Sequence, residues 1–182
     1  MQIDPRHRNK VFDNSSIAAY AADYASQLKE AILSVDGVAI EAACGLIEQA
    51  ARDGRRIYVA GNGGSAAIAD HLCCDWTKGT NAAGHPVIKT TSFSSNVALY
   101  SAVANDYGFE QVFSTQVEFF GEPGDVLVAI SSSGNSPNIV AAVQTARERQ
   151  MATIGLSGFG GGKLAQEASV SLHVLPCGTP EA

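Results

Sequence analysis

Apolar positions change rhythm once along this chain. Ile17, Tyr20, Ala21, Tyr24, Leu28 and Ile32 recur at intervals of one to four residues, the spacing of one helix face. Ser15 or Ser16 stands ahead of them as a candidate N-cap. A second, Ala-rich helix is expected from about Asp36 to Asp53, with Gly54 placed to stop it. Beyond Gly54 the texture changes to short runs rich in Val and Ile, bounded by Gly, Pro or Ser. "RRIYVAG", "HPVIKTTS", "GDVLVAIS", "MATIGLS" and "VSLHVLP" each predict a strand. Helical spacing returns between them over 65–77, 95–104, 109–119, 137–149 and about 162–168.

Strands alternating with helices predict parallel strands joined by right-handed crossovers. Near-continuous apolar strands fit a sheet covered on both faces. The expected fold is therefore α/β: a doubly wound, five-stranded parallel sheet flanked by helices, flavodoxin-like, behind two N-terminal helices. Residues 1–14 are expected to form a flexible N-terminus and residues 15–182 a single domain. A chain of 182 residues is long enough for one sizeable core.

Charge narrows the partners. The formal net charge is −6 and the 12 Lys and Arg residues form no long run, which argues against nucleic acid. No apolar stretch is long enough to cross a bilayer, and the N-terminus lacks the apolar core of a signal peptide, so no membrane partner is expected. Cys44, Cys73, Cys74 and Cys177 show no CxxC pair and read as reduced thiols of a cytoplasmic protein.

Two polar turns stand out. "GNGGSAAIADHLCCDW", residues 61–76, runs from a Gly-rich turn into a helix. Gly61-x-Gly63-x-x-Ala66 resembles a dinucleotide fingerprint, but the next strand ends "IKTTS" without the carboxylate that holds a ribose. "GFGGGKL" at 158–164 lacks P-loop spacing. No nucleotide cofactor is expected. Gly61, Gly63 and Gly64 permit positive φ and close backbone approach, and Asn62 and Ser65 offer hydrogen bonds at a helix N-terminus. That turn fits an anion or polyhydroxylated ligand, or equally a tight connection with no ligand. The second turn, "SSSGNSPN" at 131–138, holds Ser131, Ser132, Ser133, Asn135 and Ser136 ahead of Pro137, a residue suited to a first helical turn. One cap needs one residue, so this cluster points to phosphate. Ligands of open α/β sheets collect at the carboxyl ends of the strands. Both turns can therefore face one small phosphorylated compound with hydroxyls.

His71 and Asp75 are four residues apart and share a helix face. Such a pair forms a surface hydrogen bond, binds a metal or shares a proton. Cys73 and Cys74 lie off that face and are expected to be buried thiols against neighbouring helices.

"AGNGGSAAIADH", "ANDYGFEQVFSTQV", "GDVLVAISSSGNSPN" and "TIGLSGFGGGKLA" together resemble the sugar isomerase (SIS) domain, and within it the phosphoheptose isomerase group. The resemblance implies conversion of sedoheptulose 7-phosphate to a heptose 7-phosphate by proton transfer through an enediol. It implies a homo-oligomer, a tetramer or dimer, with ligand sites formed between subunits. Ser131, Ser133 and Ser136 match the phosphate-holding segment. Asn62 and Ser65, with Gly63 and Gly64 between them, match the sugar-contacting turn, and Asn105 and Asp106 match a pair near the site. His71 and Asp75 match a His and Glu linked to zinc or a similar divalent ion, the Glu also taking part in proton transfer. The acid here is one methylene shorter.

The resemblance also implies a helix after the last strand, carrying an acid or amide and a His. This sequence ends "LHVLPCGTPEA" and is expected to lack that helix. His71 and Asp75 alone fall short of the three protein ligands of a stable zinc site, so weak or absent metal is expected. The 182-residue chain is expected to bind sugar phosphate and isomerise it poorly. The alternative is a non-catalytic sugar-phosphate-binding or regulatory protein.

Overall fold

Five strands form one parallel sheet in the computed structural model, which describes residues 12, 13 and 15–175. They are β1 (Arg56–Gly61), β2 (Lys89–Ser92), β3 (Val126–Ser131), β4 (Ala152–Ser157) and β5 (Val170–His173), in the order β2-β1-β3-β4-β5. The chain steps outward from β1 to β2, then crosses back to lay β3 on the other side of β1. This reversal creates a topological switch point between β1 and β3. Gly61 pairs with Ile130 there, so the turns that leave the two strands start side by side.

Seven α-helices accompany the sheet: α1 (Ile17–Leu33), α2 (Gly37–Arg52), α3 (Gly64–Cys74), α4 (Val97–Tyr107), α5 (Ser114–Phe120), α6 (Pro137–Glu148) and α7 (Gly162–Glu167), counted among the described residues. Alternation along the strands sorts the core into two layers. Ile57, Val59, Val126, Val128 and Ile154 face α2 and α3. Tyr58, Ala60, Leu127 and Ala129 face α4, α5, α6 and α7. Both faces are covered, which is why the strands read as continuous apolar runs. This is the expected doubly wound α/β fold.

Local chemistry sets the boundaries. Ser16 caps α1, its hydroxyl accepting from the Ala19 amide at 3.0 Å. Asp36 caps α2 in the same way through Val38, and Gly54 at φ 66° turns the chain out of it. "HPVIKTTS" yields only four strand residues, Lys89–Ser92, on the edge of the sheet. The helix expected over 65–77 ends at Cys74 and continues as a π-helical turn, Asp75–Gly79. The segment 95–104 starts late because Asn96 is its cap, accepting from the Leu99 amide. The segment 109–119 divides into a 3₁₀ turn, Phe109–Gln111, and α5.

The stripe on α1 forms a helix face as expected, yet Ile17, Tyr20, Tyr24, Leu28 and Ile32 are all exposed. The sheet is already covered by α2 and α3, so α1 contributes nothing to either core layer. Phe12 lies over Tyr20 and Tyr24, with ring centroids 5.1 and 5.7 Å away. The expectation of buried Cys73 and Cys74 needs correction. Cys73 is half-buried against the α2–α3 layer, while Cys74, one residue on, turns to solvent. The flexibility expected of residues 1–14 falls outside the described residues except at Phe12 and Asp13, and Cys177 also lies outside them. Among the described residues no helix is long and apolar enough to cross a membrane.

Candidate functional site

The turn after β1 depends on a glycine. A Cβ on Gly61 would stand 2.5 Å from the Ser65 carbonyl oxygen, so α3 reaches this strand only because Gly61 has no side chain. Gly63 follows at φ 54°. The Ser65 amide donates to the Asn62 carbonyl at 2.9 Å and closes the turn. Ser94, in the loop after β2, donates its hydroxyl to the Gly61 carbonyl at 3.0 Å.

The turn after β3 carries the serines. Ser131 is buried, and its Oγ lies 3.0 Å from Ser136 Oγ. Ser136 is the N-cap residue of α6, but its hydroxyl is bound to Ser131 and not to an amide of its own helix. Ser133 Oγ accepts from the Asn135 amide at 3.2 Å, and the Asn135 side chain donates to the Ser133 carbonyl at 3.0 Å. Ser132, Ser133 and Asn135 are exposed. The positive end of a 12-residue helix thus meets a set of hydroxyls.

A third turn, Gly158–Gly162, braces the second. The Gly158 amide donates to the Ser132 carbonyl at 3.0 Å, and the Leu164 amide to the Gly134 carbonyl at 2.9 Å. Asn135 Oδ1 accepts from the Lys163 amide at 3.1 Å. The glycines of "GFGGGKL" therefore serve as a backbone buttress. His173, at the end of β5, lies with Nε2 3.1 Å from the Phe159 carbonyl oxygen in this buttress.

One buried side chain joins the first two turns. Asn138 is 1% exposed, on the first turn of α6. Asn62 Nδ2 donates to Asn138 Oδ1 at 2.8 Å, and Asn138 Nδ2 donates back to Asn62 Oδ1 at 2.9 Å. Asn138 was not among the site residues expected from sequence. Its signal was present: it sits four residues before Ala142, on the inward stripe of α6 with Ala142 and Ala146. A polar residue on an apolar stripe is one that needs a partner. Ser94 carried no comparable signal.

The remaining expected residues are held elsewhere in the single chain. His71 Nδ1 lies 3.0 Å from Asp75 Oδ2, and both side chains are largely in solvent, 78% and 63% exposed. His71 sits seven residues along α3 from Gly64, about 10 Å of helix, and Asp75 opens the π-helical turn that follows α3. Asn105 donates to Asp106 at 2.7 Å in the last turn of α4, and neither bonds to the two polar turns. The structure thus brings Asn62, Gly63, Gly64 and Ser65 beside Ser131–Ser136, and keeps His71–Asp75 and Asn105–Asp106 as two separate exposed pairs. Among the described residues no three His, Cys, Asp or Glu side chains are placed to share a metal ion. His71 and Asp75 supply two donors, fewer than a stable zinc site uses. The donor set of a single copy, within the described residues, does not fit a zinc site.

The SIS domain family matches residues 19–158 of the chain. The phosphoheptose isomerase of Rhodospirillum rubrum is 41% identical over 143 residues, covering 79% of this chain and 76% of that protein. Among solved structures, the phosphoheptose isomerase of Neisseria gonorrhoeae superposes with a TM-score of 0.76 at 35% identity, over 91% of this chain and 86% of that one. The phosphoheptose isomerase of Francisella tularensis gives a TM-score of 0.77 at 29% identity, over 90% and 86%. The matched segments span between 53% and 77% of the curated relatives' own lengths.

Proposed function

This chain belongs to the SIS domain family, in its phosphoheptose isomerase group, and from that premise we propose that it is a sugar-phosphate isomerase acting on sedoheptulose 7-phosphate. One observation carries the reading: two polar turns meet at the switch point, joined by the Asn62–Asn138 pair, with the serine hydroxyls already ordered against the start of α6. In this reading Ser131, Ser132, Ser133, Asn135 and Ser136 take the phosphate. Asn62, Gly63, Gly64 and Ser65 take the hydroxylated chain. Holding the phosphate fixes the distant carbonyl end relative to the acid–base groups.

The reaction moves one proton between adjacent carbons. A base removes it beside the carbonyl, an enediol forms, and the proton returns one carbon along. His71 and Asp75 are the candidate pair for that transfer. Asp75 bonded to Nδ1 fixes the imidazole and leaves Nε2 for proton exchange.

In one copy His71 and Asp75 bond to each other in solvent and not to either polar turn. We therefore propose a homo-oligomer in which a second copy completes the site. The exposed apolar stripe of α1 supports this, because Ile17, Tyr20, Tyr24, Leu28 and Ile32 form one exposed apolar helix face, the kind of surface that marks a protein contact.

Incubation with sedoheptulose 7-phosphate in heavy water tests the activity, with deuterium at the carbon beside the carbonyl read by mass spectrometry. Exchange that His71→Ala lowers by about 10²–10⁴ is the expected result. Tight sugar-phosphate binding with no exchange would instead assign a non-catalytic binding role.

A further inference from the structure

We propose that Asn138 is a positioning residue of this site, one that orients the Asn62 amide toward the sugar chain and ties the sugar-binding turn to the phosphate-binding turn. The inference rests on the sugar-phosphate reading above and adds to it a residue that touches no ligand.

A polar side chain in the first turn of a helix ordinarily satisfies that helix's own amides. Asn138 does something else. It reaches across the sheet to a residue 76 positions earlier and pairs with it in both directions. A reciprocal amide pair has a defined sense. Turning one amide over by itself would set N–H against N–H and oxygen against oxygen, so each side chain locks the other. An amide has two N–H donors and two acceptor lone pairs, and the pair uses one of each on either residue. Asn138 is sealed at 1% exposure, whereas Asn62 is half-buried at the mouth of the crevice. The unused donor and lone pair of Asn62 are thus the ones that remain open to a ligand, in an orientation that Asn138 sets.

The pair also has mechanical consequences. Asn138 follows Ser136 by two residues, and Ser136 is bound to Ser131. The first turn of α6 therefore holds the serine turn with one side chain and the Gly-rich turn with another. The separation of the two half-sites, and with it the length of ligand that spans them, is set at this point.

Calorimetric titration with two probes, sedoheptulose 7-phosphate and inorganic phosphate, tests the proposal. Asn138→Ala is expected to weaken the sugar phosphate about tenfold and to leave inorganic phosphate nearly unchanged, since the serine turn stays intact. In an Asn62→Ala background the same substitution is expected to cost nothing further, because its effect runs through Asn62. A merely structural role would cost as much in both backgrounds and would weaken both probes alike; that result overturns the proposal. Should Asn138→Ala not fold, Asn138→Ser keeps a polar group at the helix start but falls short of Asn62, and the same outcomes apply. A wild-type protein that binds neither probe overturns the underlying reading and the proposal with it. Wild-type binding with unaffected variants overturns the proposal alone.

Discussion

Gly134 is packed backbone to backbone against Gly161: a Cβ at position 134 would fall inside the Gly161 carbonyl group. Gly134 also holds φ 65°, where a side chain is strained in any surroundings. Both facts concern the same contact, the one that keeps the serine turn on its buttress. Gly134→Ala is expected to destabilise the fold by about 2 kcal/mol or more and to weaken phosphate binding. Urea denaturation monitored by circular dichroism gives the first quantity and calorimetry the second. A neutral substitution would mean that the buttress gives way at little cost.

The hydroxyl pair Ser131–Ser136 makes a separate forecast. Ser131 is buried, and its Oγ hydrogen bond is to Ser136. Removing it leaves Ser136 free to rotate and withdraws one hydroxyl from the anion. Ser131→Ala is expected to lower phosphate affinity about ten- to hundredfold, the range for a hydrogen bond to a charged group. Its thermal midpoint should move far less than that of Gly134→Ala.

His71 and Asp75 are paired in solvent, so their mutual attraction contributes little to folding. His71→Ala is expected to change unfolding free energy by no more than about 0.5 kcal/mol. Deuterium exchange into the sugar phosphate is expected to fall by about 10²–10⁴. That contrast separates a chemical role from a structural one. Zinc measured by elemental analysis after dialysis is expected to be well below one per chain. A stoichiometric ion would reveal a ligand set beyond these two residues.

Cys73 and Cys74 are neighbours with different fates. Burial pushes the Cys73 thiol above its ordinary value; the Thr90 contact pulls the other way and Asp70 adds to the rise. The thiolate is the reactive form, so at pH 8 a maleimide is expected to label Cys74 before Cys73, as read by peptide mass spectrometry. The stability effect has a definite sign. A thiol whose folded pKa is raised contributes fully below its unfolded pKa, and that contribution is lost as pH rises through the folded value. Cys73→Ala is expected to remove this alkaline loss.

The sheet, its strand count and most helix positions were legible because they rest on periodicity and on Gly, Pro and Ser punctuation. The two polar turns were legible for the same reason, since Gly61 and Ser131 end apolar strands. The partnership of Asn62 with Asn138 was not, because it links residues 76 apart through side-chain geometry that no local pattern encodes. The role of "GFGGGKL" was hidden too: glycines that admit another backbone look in sequence like glycines that admit a ligand. The burial of Cys73 against the exposure of Cys74 turns on a single step of helix rotation, finer than the spacing of an 11-residue helix can fix.

On the proposed function, the switch-point crevice recognises a phosphate and a hydroxylated chain together. Titration with sedoheptulose 7-phosphate and with the same sugar lacking its phosphate, under one buffer and in one calorimeter, measures this directly. Clear saturable binding of the phosphorylated sugar, much weaker binding of the other, and loss of the difference in Ser131→Ala are expected. Equal affinity for the two sugars would contradict that function.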